Sequence, residues 1–180
     1  NLAFTYLSYL GTPSMTAEDI AQKMYQLACS FGLSAGSSVT NISLRGLDEN
    51  LPEAMKIVED LAYNAVPDEN ILANLKADML KSRSDSKLNQ SSCFSALQRY
   101  VFYGPEFIKK ITLTNDELMS LTSDELLSKV RNLLDCQHEV IYYGPSSEQE
   151  VVKLISEGHK VAPELKPLVK KYAEYTPTPE

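Results

Sequence analysis

Apolar positions recur at helical spacing along most of this chain and at strand spacing over short stretches. Leu2, Phe4, Leu7 and Leu10, with Tyr6 and Tyr9 between them, leave almost no polar face, which predicts a buried helix. Gly11 fits a left-handed residue just past its end. Thr16 and Asp19 form a capping box ahead of Ile20, Met24, Leu27 and Phe31, a helical run that Gly32 is expected to stop. Thr40, Ile42 and Leu44 then alternate with Asn41, Ser43 and Arg45, the pattern of a half-buried strand with Leu44 in the core. Leu33-Ser34-Ala35 is its hairpin partner, with a bend at Gly36 between them.

Helical spacing returns after Asn50, a cap followed by Pro52. Ala54, Ile57, Val58, Leu61 and Ala62 form one core face. Past Val66-Pro67-Asp68, a second set comprises Ile71, Leu72, Leu75, Met79 and Leu80. Phe94, Leu97, Tyr100 and Val101 predict a further helix closed by Gly104-Pro105. Capping boxes at Thr114/Glu117, Thr122/Glu125 and Ser147/Glu150 start three more. The second carries Leu126, Leu127, Val130, Leu133 and Leu134 inward, and the third Val151, Val152 and Ile155, ending at Gly158. Between these two, residues 138–143 (His-Glu-Val-Ile-Tyr-Tyr), bounded by Gly144-Pro145, read as a central strand. With three or four strands among many helices, the fold class is α+β, helices packed on one mixed or antiparallel sheet. Residues 1–160 form a single subdomain of a larger chain. Residues 161–180, with Pro163, Pro167, Pro177 and Pro179, form a linker or tail.

Composition narrows the chemistry. Seventeen basic against 24 acidic residues give a net charge of −7, which argues against a nucleic-acid partner. No apolar run approaches the roughly 18 residues of a membrane span. The chain starts inside an apolar segment without Met and is expected to be a piece of a longer protein. Cys29, Cys93 and Cys136 form no C-x-x-C pair and read as buried thiols on helices. His138, on the predicted strand, and His159, after a helix, read as two separate ordinary histidines with no metal between them. There is no G-x-S-x-G elbow. The aromatic set Tyr100, Phe102, Tyr103 and Phe107 reads as core and helix-end packing, with a peptide-binding surface as the alternative. The charges around Lys81 and Arg83 read as a solvated helix face, with substrate contact as the alternative.

The order of these elements resembles the pitrilysin/insulinase family of zinc metallopeptidases and their inactive relatives. The resemblance rests on the apolar helix ending before Gly11-Thr12, the Thr-capped helix after it, the strand ending in Arg45-Gly46-Leu47, and Tyr142-Tyr143-Gly144-Pro145. In active members the first helix carries H-x-x-E-H. Counted back from Gly11-Thr12, Leu2 stands at the first His, Thr5 at the Glu and Tyr6 at the second His, and Ser82 stands where a later helix supplies the third ligand. The resemblance therefore implies no catalytic, cofactor-binding or metal residue in this chain. It implies the first subdomain of the second, non-catalytic half of a clam-shell protein, with a catalytic Arg and Tyr of that half lying beyond Glu180. Zinc is expected in the active half of the parent. The expected partners are that homologous half, on the same chain or a partner subunit, and a peptide substrate enclosed between halves. The alternative is a structural or interaction module with no role in proteolysis.

Overall fold

A computed structural model describes residues 1–36 and 39–167; the last thirteen residues of the predicted tail and Ser37-Ser38 of the hairpin lie outside the described residues. The elements run α1 (Leu2–Leu7), α2 (Ala17–Gln26), β1 (Cys29–Ala35), β2 (Thr40–Gly46), α3 (Leu51–Asn64), α4 (Glu69–Ser86), α5 (Gln90–Ile111), α6 (Asn115–Ser120), α7 (Ser123–Leu134) and α8 (Glu148–Gly158). Helices thus combine with one antiparallel sheet in an α+β fold. They divide into two compact units. Among the described residues the first holds 1–68 and 123–167, the second 69–122.

In the first unit α1, α2, α3 and α7 supply the core. Phe4, Tyr6, Leu7 and Leu10 are buried with Ile20, Met24 and Leu27 of the α2 region, and with Leu126, Leu127 and Val130 of α7. The α3 face Ala54, Ile57, Val58, Leu61 and Ala62 is buried as its spacing predicts. Removing so much apolar surface from water is the main force holding the unit together. Capping boxes close at Thr16/Asp19 and Ser147/Glu150, each with both reciprocal hydrogen bonds.

Several local expectations are corrected. Gly11 is not left-handed; α1 ends at Ser8 in a right-handed conformation. Gly11 is needed for close approach instead, since a Cβ there would lie 2.5 Å from the Met15 carbonyl oxygen. The left-handed stop of α2 falls on Ala28 (φ 49°), four residues before Gly32, so Phe31 and Gly32 belong to β1. The hairpin pairs Ala35 with Thr40, Leu33 with Ile42 and Phe31 with Leu44. That is the expected partner in a longer ladder, yet Leu44 is only half-buried and Ile42 is exposed, because β2 is covered less than its alternation suggests. Asn50 sits at the α3 N-cap, but its side chain donates to the Leu27 carbonyl at 2.8 Å rather than capping. Val152 of α8 is exposed.

The largest correction concerns residues 138–143, which form no strand; among the described residues the sheet has two strands. Nothing in the hairpin register reaches this segment. Its period of two is realised differently: His138 and Tyr142 are anchored by side-chain hydrogen bonds, while Ile141 (88% exposed) and Tyr143 (102%) stand in water.

The second unit packs α4 with α6. Leu72 and Leu118 are fully buried. Lys76 is buried too, its ammonium donating to the carbonyls of Met119 and Leu121 at 2.9 and 2.6 Å. Those acceptors close the exposed end of α6, whose start is the Thr114/Glu117 capping box. α5 breaks at Gly104 (φ 74°) and resumes at Pro105, continuing helical to Ile111 beyond the expected stop. Among the three cysteines only Cys29 is buried, and it lies in a strand; all three thiols are free.

Candidate functional site

The first helix is the place to look for chemistry, and it holds a packing centre. Its apolar residues turn Tyr6 inward until nothing of it is exposed. The phenol oxygen accepts the Asp68 amide at 2.8 Å. It lies 2.7 Å from the Ser123 hydroxyl and 3.0 Å from the Asp68 carbonyl. One side chain therefore ties α1 to the end of the α3–α4 connection and to the first residue of α7. Thr5, one position away on the helix, is exposed, and its hydroxyl donates back to the Asn1 carbonyl at 3.4 Å. Leu2 is half-buried. Ser82 lies on the exposed side of α4 in the second unit, lining an open polar hollow of about 400 Å³ with Asp78, Lys81 and Asp85. Of the two cations considered for substrate contact, Lys81 faces this hollow, and Arg83 is engaged by the Asn115 side chain at 2.7 Å.

The aromatic set on α5 is not core. Phe102 is 60% exposed, and Phe94, Leu97, Tyr100 and Val101 are exposed beside it, while Tyr103 and Phe107 stack at 4.9 Å. Spacing identifies an apolar helix face but cannot say whether the same chain covers it.

Two polar clusters escaped the sequence analysis because their members are far apart in the chain. In one, Asp48 accepts hydrogen bonds from the Tyr142 and Ser146 hydroxyls. These donors hold the Asp48 carboxyl below the usual carboxylate range, Ser146 contributing most. In the other, the two histidines read as separate meet: their Nε2 atoms lie 2.8 Å apart, and Glu59 of α3 backs His159.

Compared by sequence, the chain matches no family model and no curated protein. Compared by fold, it is similar to the ferredoxin protease FusC, solved with Arabidopsis ferredoxin, at a TM-score of 0.70 and 13% identity over 92% of this chain and 19% of that one. The periplasmic protease PqqL from Escherichia coli gives 0.69 and 14%, over 87% and 17%. A peptidase M16 inactive domain from Pseudomonas fluorescens gives 0.61 and 20%, over 73% and 32%. The fold is that of a peptidase M16 subdomain.

The chain spans 17–32% of the length of these three proteins. Zinc, which M16 peptidases carry, does not fit the residues that the resemblance sets at the motif positions. Leu2 has no donor atom, the Tyr6 oxygen already has its hydrogen-bond partners, and Thr5 lacks the carboxylate that would activate a metal-bound water. Among the described residues, no group of three or more His, Cys, Asp or Glu could hold a metal ion.

Proposed function

We propose that this chain is a non-catalytic subdomain of an M16 peptidase, a part that helps enclose and bind peptide substrate for proteolysis carried out by a homologous, zinc-bearing half. The observation that carries this reading is Tyr6. At the position that the resemblance assigns to the motif's second histidine is a fully buried phenol that joins three segments of the unit. The helix that would bear the chemistry is kept for packing, so the fold persists without the reaction. On this reading residues 1–160 act as one subdomain of a larger chain, without a catalytic or metal residue. The hairpin supports substrate contact, because each of β1 and β2 has an edge unpaired among the described residues, where an extended peptide can add a strand.

The test is cleavage of long unfolded peptides by the parent protein with and without this segment, after the remaining half is confirmed to be folded. The expected outcome is a loss of kcat/KM for long peptides and little change for short ones. Unchanged kcat/KM for both refutes the role. A second reading, a module that only joins halves or copies, draws on the exposed apolar face of α5. It predicts that deletion changes the assembly state and leaves the peptide-length dependence alone.

A further inference from the structure

The contact between His138 and His159 obeys a strict proton count. The His138 Nδ1 lies 2.8 Å from the Cys136 carbonyl oxygen, which can only accept, so this nitrogen carries a proton and donates it. A neutral His138 then presents a bare Nε2. The Nε2 of His159 is 2.8 Å away, so the proton between them belongs to His159. The other nitrogen of His159 lies 2.5 Å from Glu59 Oε1 and also needs a proton in the contact, since a bare nitrogen facing a carboxylate is repelled. Glu59 is held for this: the Lys160 amide donates to both of its oxygens, at 3.2 and 3.0 Å. Side-chain exposures of 20% for His159 and 12% for Glu59 keep the pair largely out of water.

The chain of groups therefore closes with one proton in each of its three contacts. A further proton goes to His138 Nε2 and sets two N–H groups against each other. Removing one leaves two lone pairs face to face. We propose that His138, His159 and Glu59 form a proton-counted clasp, closed near neutral pH and opened by acid on one side and base on the other.

The neighbouring groups do not blur this count. Tyr63 of α3, whose hydroxyl donates to the Lys160 carbonyl, is held above the ordinary phenol range by burial and then by Glu59 and Asp135, so it stays neutral there. The Lys160 ammonium lies over the Tyr63 ring at 5.9 Å, Asp135 is paired with Lys166 at 3.2 Å, and Arg131 donates to the Tyr63 carbonyl. Glu139 beside His138 is exposed. A metal ion between the rings is a poorer account. The rings meet end on, with centroids 5.0 Å apart, whereas two ligands of one ion point at it from an angle.

The clasp decides how free residues 137–141 are. The segment is anchored beyond them by Tyr142 on Asp48, and at its first residue by the Gln137 amide on the Lys166 carbonyl. Opening the clasp releases the stretch bearing Val140 and Ile141.

Imidazole nitrogen NMR on the 180-residue chain, with backbone amide relaxation of residues 138–141 from pH 4 to pH 9, tests this. Near neutrality the expected state has His138 protonated on Nδ1 alone and His159 on both nitrogens. The backbone order parameters of residues 138–141 should be highest there and fall on either side as the side-chain anchor is lost. His159→Gln should remove the His138 tautomer preference, and His138→Gln should abolish the acid limb. Glu59→Gln should move the alkaline limb to lower pH. Any of three results overturns the proposal: His138 protonated on Nε2 at neutral pH, titrations that ignore the partner's substitution, or stoichiometric uptake of added Zn²⁺ by the pair.

Discussion

At the residue scale, Tyr6 is the most consequential side chain. Its ring is fully buried, and its oxygen accepts the Asp68 amide and meets the buried Ser123 hydroxyl. Tyr6→Phe keeps the ring and removes the oxygen, and with it the hydrogen bonds to Asp68 and Ser123. We expect a loss of about 1–3 kcal/mol in denaturant-induced unfolding; a loss below about 0.5 kcal/mol would show that the hydrogen bonds carry little. Carboxylates at helix starts give a second residue-scale expectation. Asp19, Glu117 and Glu150 are all held below the ordinary carboxylate range, by hydrogen bonds from Thr16, Thr114 and Ser147 respectively. A lowered folded-state pKa adds stability that is present above the unfolded pKa and lost as pH falls through the folded one. The chain's Tm should therefore fall below about pH 4, and the triple variant Asp19→Asn, Glu117→Gln, Glu150→Gln should show a flatter acid limb.

At the element scale, the hairpin illustrates how pattern and burial part company. Thr40, Ile42 and Leu44 do lie in a strand, in register with Ala35, Leu33 and Phe31. Alternation fixes which residues share a face and says nothing about what covers that face. Leu44 is half-buried. Leu44→Ala should accordingly cost about 1 kcal/mol, short of the roughly 2–5 kcal/mol of a fully buried leucine; equilibrium unfolding in urea measures it, and a cost above 2 kcal/mol would place Leu44 in the core. Residues 138–143 carry the same lesson further. Their composition suits a strand, but a strand needs a neighbour's backbone, and these residues are held by the His138 and Tyr142 side chains instead.

At the scale of the whole molecule, the question is whether any reaction remains in a fold shared with proteases. The positions that the resemblance assigns to the motif hold an aliphatic, a hydroxyl and a buried phenol, with a serine at the fourth. Proteolysis by a metal-activated water needs two neutral imidazoles, a third ligand and a carboxylate base. We expect no stoichiometric zinc after dialysis against a metal-buffered solution, and no cleavage of unfolded peptides by this chain alone. Restoring Leu2→His, Thr5→Glu and Tyr6→His should unfold the first unit rather than create an enzyme, since the third change removes the phenol that joins its segments. Circular dichroism and metal analysis of that variant distinguish the outcomes; a folded, zinc-loaded triple variant would refute this reading.

The sequence by itself determined the helices, because their signals are local. Capping boxes at Thr16, Thr114 and Ser147, and the apolar faces of α3 and α7, need only residues within a turn or two of each other. Tertiary structure decided whatever depends on residues distant in the chain. It set the number of strands, left the α5 face exposed, buried Lys76 under two carbonyls, and placed Glu59, His138 and His159 in one hydrogen-bonded line. Glu59 and His159 are a hundred residues apart in sequence. No local periodicity encodes such a meeting; only the packing of α3 against α8 brings it about.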